Sequence, residues 1–542
     1  MVTVAQYLAH RLHALGARHL FGVPGDFSLS LLDSVLGTDL LEWVGSPNEL
    51  NAGYAADAYA RTRGIGAMVT TFGVGELSAI DAVAGAYAEN VPLVQVTGAP
   101  PTAAAARGAL LHHTLGDGDF GRFARAYAEV TADGAVLTAD DAAERIDAVL
   151  ATAVRELRPV YLAIPADVAL APVDPARLTL PLPAATADPG TVEAFRRAAA
   201  DLLNGAHSAA VIAGHLVERT GTQEELRALV HAAASPVVTL TSGRGAIAAD
   251  DPYFAGVYVG EIGAKRAVLA VETADVLIEA GTLMADAVTG MFTHRDDPAR
   301  TIHLGVHMAT VAGVPFPGVP FATGLEVLAG LTDGRLRREL PDLPAAGPVA
   351  GAELDQETLW ATLERRLPRD TRLVTDIGTS FWGAAGITLP AGVDVVAQPV
   401  WSSIGYALPA TLGCALADPD RRPVLVIGDG AAQMTVQELG TLARRANPVV
   451  VVVDNSGYTI ERALQSPRAV YNDVAAWDWC ALARAFAPGA DLRTASPATP
   501  GELDTALVEA LADERMSVLH VRLDALDVPA GLRGLADRHH GR

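Results

Sequence analysis

Two apolar runs in the last third of the sequence, each ended by a polar turn, constrain the fold of this chain more than any other feature. Pro423–Ile427 and Val449–Val453 each predict a buried β-strand, and the segment from about Thr435 to Arg445 between them predicts a helix. A strand, a crossover helix and a second strand are typical of a parallel βαβ unit. The turns place Asp429 and Asn455 at the carboxyl ends of neighbouring strands, which is where open α/β sheets bind ligands.

The residues at these strand ends offer ligands for a hard metal ion and for an anion. Asp429 supplies a carboxylate, Asn455 an amide oxygen and Gly457 a main-chain carbonyl. Mg²⁺ prefers such oxygen ligands and usually shares its shell with phosphate. Gly428 and Gly430 allow the backbone to approach a diphosphate closely. Either turn alone is more often an ordinary loop, but the pair, joined by one crossover helix, predicts a magnesium and diphosphate site.

Strand and helix patterns alternate along the rest of the chain. Further apolar runs of strand type occur at His19–Val23, Ala67–Phe72, Val91–Thr97, Ala209–Ala213, Pro236–Leu240, Asp275–Ala280 and Thr301–Leu304. Proline-rich stretches without periodicity, at about 165–192 and 341–351, predict linkers. The sequence therefore predicts an α/β protein of three consecutive domains (1–170, 190–340 and 352–542), each a mostly parallel sheet flanked by helices.

Composition argues against several classes of function and cell location. The net charge of −23 argues against nucleic acid or an anionic membrane as a partner. No apolar run approaches the roughly 20 residues of a membrane span, and no signal peptide is apparent at the start. The two cysteines, Cys414 and Cys480, have no metal-ligand spacing, which favours a reduced, cytoplasmic protein. Lys265 is the only lysine, so a Schiff-base mechanism has one possible nucleophile.

The sequence around the two polar turns resembles that of thiamine-diphosphate-dependent 2-keto acid decarboxylases. Residues 428–439 and 457–461 are similar to the branch that contains pyruvate, indolepyruvate and branched-chain keto acid decarboxylases. The resemblance extends from about Val4 to Val521 and is weakest in the middle domain. The family's metal signature normally ends in Asn-Asn, whereas this chain has Asp454 before Asn455. The implied cofactors are thiamine diphosphate and Mg²⁺, and the implied metal ligands are Asp429, Asn455 and Gly457.

The same resemblance implies a set of cofactor-binding residues. They are Glu49, Thr379, Ser402, Ile404, Asp429, Gly430, Ala431, Asn455, Gly457 and Ile460. Ile404 matches the apolar residue that holds the cofactor in its bent form, although it also fits a core position. Ser402 replaces a glycine of the family, so its side chain fits only where the backbone conformation suits a non-glycine residue.

Catalytic residues are implied by three further segments. Asn48–Ala52 resembles the segment that supplies the glutamate beside the cofactor's aminopyrimidine ring, which is Glu49 here. Asp26, the adjacent pair His112 and His113, and Glu461 match the groups that protonate the product and release the aldehyde. In the family the histidine pair marks simple decarboxylases. The predicted reaction is therefore the non-oxidative decarboxylation of a 2-keto acid to an aldehyde and CO₂.

Partners and substrate size are also implied by the resemblance. Family members combine residues of two subunits in each active site, which predicts a dimer or a dimer of dimers. Ala287 and the pair Phe381 and Trp382 match positions that line the substrate pocket. A small residue at the first position and two large rings at the others favour medium aliphatic, branched-chain or phenyl-bearing 2-keto acids. The rings would also fit simple core packing.

Four alternatives follow from the same residues. The chain could be a pyruvate or indolepyruvate decarboxylase proper. It could be a thiamine-dependent carboligase or oxidase, which a flavin-binding segment or loss of the histidine pair would favour, but no flavin-binding segment is evident and the pair is present. It could be a non-catalytic relative, in which loss of Glu49 is expected, but Glu49 is present. A nicotinamide-dependent enzyme ranks last, because no Gly-x-Gly-x-x-Gly motif follows an early strand with an acidic residue about 20 positions on.

Overall fold

A computed structural model describes residues 1–183, 187–295, 297–342 and 347–540 of the protein. Strands within these residues form three large sheets and one two-stranded ribbon. Parts of both predicted linkers, residues 184–186 and 343–346, lie outside the described residues.

The first sheet is built from residues 19–165. Its strands are β2 (His19–Gly22), β3 (Glu42–Gly45), β4 (Gly66–Thr71), β5 (Leu93–Ala99), β6 (Asp133–Val136) and β7 (Val160–Pro165), and the flanking ribbon pairs β1 (Val2–Thr3) with β8 (Pro172–Val173). Its helices are α1 (Val4–Ala14), α2 (Leu29–Leu36), α3 (Glu49–Arg63), α4 (Val74–Ala88), α5 (Thr102–Ala106), α6 (Arg122–Ala128), α7 (Ala142–Glu156) and α8 (Ala166–Ala169). All neighbours in the sheet are parallel, in the order β3-β2-β4-β5-β7-β6.

The middle sheet has seven strands and is mixed. They are β9 (Ala209–Ala213), β10 (Val237–Thr239), β11 (Phe254–Val257), β12 (Val276–Ala280), β13 (Thr301–Leu304), β14 (Met308–Val311) and β15 (Val314–Pro317). The helices are α9 (Pro189–Asn204), α10 (Leu216–Thr220), α11 (Gln223–Ala233), α12 (Lys265–Glu272) and α13 (Phe321–Leu331). The order is β11-β10-β9-β12-β13-β14-β15, parallel up to β13 and antiparallel beyond it.

The third sheet again has six parallel strands. They are β16 (Arg372–Thr375), β17 (Asp394–Val396), β18 (Pro423–Gly428), β19 (Val449–Asp454), β20 (Arg493–Ala495) and β21 (Ser517–Arg522). The helices are α14 (Gln356–Arg366), α15 (Thr379–Gly386), α16 (Ala407–Ala417), α17 (Asp429–Thr435), α18 (Glu438–Arg445), α19 (Thr459–Leu464), α20 (Trp479–Phe486), α21 (Pro500–Ala512) and α22 (Ala530–His539). The order is β17-β16-β18-β19-β21-β20.

The predicted fold class is confirmed, with an α/β architecture of three mostly parallel sheets. By compactness the chain separates into two units. Unit 1 comprises residues 1–185, 408–420 and 435–446, and unit 2 comprises 186–407, 421–434 and 447–542. Unit 1 thus combines the first sheet with α18 and most of α16, while unit 2 holds the other two sheets. The three domain limits drawn from the sequence stay predictions.

Burial explains why the central strands read as continuous apolar runs. All five valines of β19 are at most 2 % exposed. In a parallel sheet covered on both faces, every residue of a central strand meets the core, so no polar alternation is expected.

At the other end of the chain, α1 begins with a capping box in which Thr3 and Gln6 each accept a hydrogen bond from the other's backbone N–H.

Two local predictions differ from the structure. The single helix predicted from about Thr435 to Arg445 is two helices, because α17 already begins at Asp429 and the chain leaves helical geometry at residues 436–437 before α18. The β14–β15 hairpin was not predicted, since Pro315 and Pro317 weaken its strand pattern.

Within the described residues, no helix has both the length and the apolar character needed to cross a membrane.

Candidate active site

Three oxygen atoms of unit 2 converge where β18 and β19 end. The amide oxygen of Asn455 lies 2.9 Å from the carbonyl oxygen of Gly457 and 3.1 Å from Oδ1 of Asp429. Rotating the amide by 180° would turn these contacts into hydrogen bonds. The hydroxyl of Thr459 argues against that rotation, because it donates to the carbonyl of Ala525 at 2.9 Å and its lone pairs face the amide nitrogen at 3.0 Å. The amide oxygen therefore points at two other oxygens, and neither the Gly457 carbonyl nor an ionised Asp429 supplies a proton between them.

A divalent cation explains this arrangement. Mg²⁺ holds its octahedral ligands at about 2.1 Å, so adjacent ligand oxygens stand about 3.0 Å apart. The separations of 2.9 and 3.1 Å match that spacing. Burial, with the nearby charge of Asp454, raises the pKa of Asp429 to about 7, so its ionised form needs a positive partner. The donor set of Asp429, Asn455 and Gly457 fits Mg²⁺.

A cavity of about 210 Å³ lies beside these oxygens within unit 2. Among its lining residues are eight of those predicted from the sequence, namely Thr379, Ile404, Gly430, Ala431, Asn455, Gly457, Ile460 and Glu461. A Cβ atom at Gly428 would meet no atom within 4 Å, whereas one at Gly430 would lie 2.6 Å from the Tyr458 ring. Backbone amides at this strand end are therefore open to the cavity, as the diphosphate of a cofactor requires.

Ser402 adopts the conformation that its family position demands. Its φ of +59° lies in the left-handed region, which glycine occupies freely and a residue with a Cβ occupies at some cost. The amide of Ser402 donates to the carbonyl of Gln398 at 2.8 Å, and its hydroxyl donates to the carbonyl of Pro399 at 3.2 Å. These bonds hold the turn that precedes Ile404 despite the strain.

Asp376, which the sequence analysis missed, fixes the backbone beyond that turn. It follows β16, is 2 % exposed, and accepts hydrogen bonds from the amides of Gly405 and Ala407 at 3.1 and 2.9 Å. Burial raises its pKa to about 7, against the opposing effect of these bonds. Its sequence signal was the same as that of Asp429, an aspartate directly after a buried strand.

The predicted acid and base groups near the N-terminus meet in unit 1. Nε2 of His112 lies 2.7 Å from Oδ2 of Asp26, and Nε2 of His113 lies 3.8 Å from Oδ1 of the same carboxylate. The ring of His112 stacks on Phe27 with centroids 4.9 Å apart. Position 73 in the adjacent loop has room only for a glycine, because a Cβ atom there would lie 2.0 Å from the His113 carbonyl oxygen.

Glu49 is the first residue of α3, directly after the N-cap Asn48. One of its carboxylate oxygens would lie 3.2 Å from a Cβ atom at Gly75, so a small residue there leaves the carboxylate its place. Further along α3, the buried Asn51 donates to Oε2 of Glu438 at 2.8 Å. Burial raises the pKa of Glu438 to about 7. Sequence patterns do not show this pair, because 387 positions separate its members.

Comparison with known proteins now adds to the geometry. Three thiamine pyrophosphate enzyme models match the chain: the N-terminal TPP binding domain at residues 2–119, the central domain at 196–325 and the C-terminal TPP binding domain at 376–521. An alpha-keto-acid decarboxylase of Mycobacterium ulcerans is 44 % identical over 538 residues, covering 97 % of this chain and 94 % of the relative. The chain belongs to the thiamine pyrophosphate enzyme family.

Other relatives agree with this assignment. The alpha-keto-acid decarboxylase of Mycobacterium tuberculosis (strain H37Rv) is 43 % identical over 535 residues, covering 97 % of this chain and 95 % of its own. A solved structure of the thiamine diphosphate-dependent 4-hydroxybenzoylformate decarboxylase of Rhodococcus jostii RHA1 superposes with a TM-score of 0.78 at 22 % identity, covering 96 % of this chain and 99 % of that one. At this identity the second likeness supports the fold.

This thiamine pyrophosphate enzyme has Asp454 where the family's metal signature normally has an asparagine, and the Asp454 carboxylate has a hydrogen-bond partner. Oδ2 of Asp454 lies 2.7 Å from Nε2 of His520 on the neighbouring strand β21. His520 is 1 % exposed. The hydrogen bond from His520 lowers the pKa of Asp454, which keeps the carboxylate ionised beside Asp429. The carboxylate that replaces an amide is therefore compensated by a buried imidazole.

The predicted substrate-pocket residues lie apart from the cavity lining. Phe381 and Trp382 are 4 % and 3 % exposed and form an edge-to-face pair, with centroids 5.8 Å apart, in an apolar cluster with Val528 and Leu532. Ile460, which lines the cavity, packs against the same cluster. Ala287 lies half-buried in a short 3₁₀ turn. Their role in substrate choice stays a prediction.

Proposed function

We propose that the protein decarboxylates 2-keto acids to aldehydes and CO₂ with thiamine pyrophosphate and Mg²⁺. The main support is the group of three oxygens from the Asp429 carboxylate, the Asn455 amide and the Gly457 carbonyl, called here the oxygen triad. Their separations match octahedral ligand spacing, and they lie beside a glycine-lined cavity. Relatives at 43–44 % identity over 97 % of the chain bear the name alpha-keto-acid decarboxylase, which supports this reaction class. When bound, the cofactor supplies an electron sink for the bond to the leaving carboxylate.

The side chains divide into holding groups and proton-transferring groups. Asp429, Asn455 and the carbonyl of Gly457 would hold the metal, and Ile404 would support the cofactor from the cavity wall. Glu49 would share a proton with the cofactor's aminopyrimidine ring. Asp26, His112, His113 and Glu461 move protons to the product and away from it. Hydrogen-bond distance between Asp26 and His112 supports a shared proton in this set.

Assembly as a dimer or a dimer of dimers completes the proposed site, with Glu49 and the Asp26 group of one subunit facing the metal site of its partner. Large apolar side chains at the surface support association. In unit 1, Leu110 and Leu115 are 75 % and 63 % exposed beside the histidine pair, and Tyr471 in unit 2 is 66 % exposed. Exposed apolar side chains grouped near a functional site are typical of subunit contacts. A reduced cytoplasmic location agrees with two cysteines that form no disulfide.

For the substrate we propose a medium aliphatic, branched-chain or phenyl-bearing 2-keto acid. The support is the small side chain of Ala287 and the ring pair of Phe381 and Trp382, whose cluster also contacts the cavity residue Ile460. Each additional buried methylene adds roughly 0.8 kcal/mol of binding in an apolar pocket.

Release of CO₂ and aldehyde, measured with and without thiamine pyrophosphate and Mg²⁺, tests the reaction. We expect release from a 2-keto acid panel only when both cofactors are present. Full activity after chelation and cofactor removal contradicts the reaction. A highest kcat/KM for pyruvate or indolepyruvate contradicts only the substrate class.

A further inference from the structure

The histidine pair of unit 1 and Asp26 have the composition of a transition-metal site. One ligand atom from each of Asp26, His112 and His113 lies within 4.8 Å of the other two. Of the His, Cys, Asp and Glu side chains that the structure describes, no other three are grouped in this way. The cluster is separate from the oxygen triad in its chemistry, since two of its three ligands are imidazoles.

The distances are close to those that zinc requires. Zinc binds imidazole nitrogen and carboxylate oxygen at about 2.0–2.2 Å, so neighbouring ligands of a tetrahedral ion stand about 3.4 Å apart. Oδ2 of Asp26 lies 2.7 Å from Nε2 of His112 and Oδ1 lies 3.8 Å from Nε2 of His113, so the two separations lie on either side of that value.

The ligands are held in place yet open to an ion. Phe27 fixes the His112 ring by stacking, with 13° between the ring planes. His113 sits at a φ of +61°, a conformation that its surrounding loop maintains. The side chains of His112 and Asp26 are 58 % and 49 % exposed in the chain. In the single chain, an ion can therefore reach these ligands without unfolding of the loop.

Ligand type selects the metal. Imidazole nitrogens suit zinc, copper and nickel, whereas Mg²⁺ prefers oxygen, and two histidines with one carboxylate leave open coordination positions. We propose that Asp26, His112 and His113 bind a divalent transition metal, with Zn²⁺ as the ion, and that this binding inhibits the enzyme. The inhibition rests on the proposed function, because a metal-bound imidazole nitrogen can neither accept nor donate the proton of the reaction. The binding of Zn²⁺ itself does not depend on the proposed function.

The experiment uses the full chain saturated with Mg²⁺ and thiamine pyrophosphate, so that the oxygen triad is occupied. Zn²⁺ binding is measured by competition with a chromophoric chelator, and Co²⁺ binding by its visible absorption. We expect one Zn²⁺ per chain, an activity loss over the same concentration range, and recovery when EDTA equimolar to the Zn²⁺ is added while Mg²⁺ stays in excess. Asp26→Asn, His112→Gln and His113→Gln should each weaken Zn²⁺ binding at least about 10-fold, since each removes a ligand.

The chain offers a matched control in a second adjacent pair, His539 and His540. Their ring centroids are 5.7 Å apart and edge-to-face, as in the first pair, but they belong to no three-ligand group. His539→Gln with His540→Gln should leave Zn²⁺ binding unchanged. Circular dichroism of every variant separates lost ligands from lost fold.

The outcomes distinguish this proposal from the proposed reaction. Unchanged Zn²⁺ binding in correctly folded His112→Gln and His113→Gln overturns the site. Inhibition that excess Mg²⁺ reverses, and that the histidine variants leave intact, also overturns it, because Zn²⁺ then acts at the oxygen triad. Ligand-dependent Zn²⁺ binding in a protein that releases no CO₂ supports the site while the proposed reaction fails.

Discussion

The first and third sheets of this protein share one topology but hold different chemistry. In both, the six strands taken in chain order occupy the same positions across the sheet. Asp26 follows the first strand of one sheet and Asp376 the first strand of the other. After the second strands come Glu49 and Ile404. In the proposed function, these strand ends carry proton-transferring groups in the first sheet and groups that hold the cofactor in the third.

The third and fourth strands show the contrast most directly. β18 and β19 are followed by Asp429 and Asn455, the two proposed oxygen ligands. Their counterparts β4 and β5 are followed by Phe72 and Pro100, which offer no side-chain ligand. Parallel topology places these positions at one edge of each sheet, and only the third sheet has oxygen-bearing side chains directly after these two strands.

Removing the carboxylate of the first sheet should have the largest effect. Glu49→Gln should reduce kcat by about 10³-fold or more, since acid–base groups contribute about 10²–10⁴ and the amide cannot share the proton. Single-turnover CO₂ release measures the loss. Cofactor binding, followed by fluorescence quenching, should persist because the ligands of the third sheet are unchanged. Wild-type turnover in this variant would remove Glu49 from the mechanism.

Removing the carboxylate of the third sheet should act on binding instead. Asp429→Ala should weaken Mg²⁺ more than about 100-fold and cofactor with it, since loss of a direct ligand exceeds the 10–100-fold typical of supporting residues. Asp454→Asn is the matched control, because it restores the family's usual amide one residue before Asn455. Its effect should be smaller. Calorimetric titration of Mg²⁺ would contradict the assignment if the two variants weakened binding equally.

Asp376, the buried counterpart of the exposed Asp26, should make the stability of the folded protein depend on pH. Its pKa of about 7 in the folded protein exceeds the usual 3.8, so between these values the folded state keeps a proton that the unfolded state has lost. Stability should therefore fall as pH rises through this window. Asp376→Asn lacks this dependence, and its amide oxygen can still accept backbone hydrogen bonds.

The measurement is the free energy of unfolding by denaturant at pH 5 and pH 7. The wild type should lose about 2 kcal/mol more than Asp376→Asn, below the roughly 4 kcal/mol that a three-unit shift allows. Other buried carboxyls act in both proteins, so they cancel in the difference. Parallel pH profiles would show that burial of Asp376 leaves its ionisation unchanged.

The smallest effect concerns backbone strain. Ser402→Gly should stabilise unit 2 by less than about 1 kcal/mol, because glycine occupies a φ of +59° without a Cβ penalty but lacks the hydroxyl that donates to the Pro399 carbonyl. Ser403→Gly, one position on, is the matched control, and it should give no gain since Ser403 is not among the residues with positive φ. Thermal unfolding checks both. Equal shifts in the two variants would mean that strain at Ser402 is negligible.

Sequence patterns predicted the parts of the molecule that depend on local order. Strands β2, β4, β9 and β19 were expected within one or two residues of their observed limits, because buried parallel strands give uninterrupted apolar runs. The grouping of Asp429, Asn455 and Gly457 was also expected, since they lie one to three residues past the ends of β18 and β19. Parallel packing then brings those positions together. Their role as metal ligands stays a prediction.

Other features depend on contacts that local patterns do not contain. The bond between Asn51 and Glu438 joins residues 387 positions apart, and both look like ordinary surface residues in the sequence. The pairing of Asp454 with His520 needs the strand order of the third sheet, which the sequence does not specify. The ring pair of Phe381 and Trp382 fitted a pocket or a core equally well, because apolar side chains serve both.

The divided composition of unit 1 has a consequence for synthesis. Its sheet is encoded before residue 186, but α18 ends at Arg445, about 260 residues later. At roughly 5–20 residues per second, translation of that interval takes about 13–50 s. During this time the face of α3 that carries Asn51 has not yet met its partner Glu438. The nascent N-terminal third therefore leaves the ribosome with an uncovered face, and chaperone binding during translation is expected at α3 rather than at the later sheets.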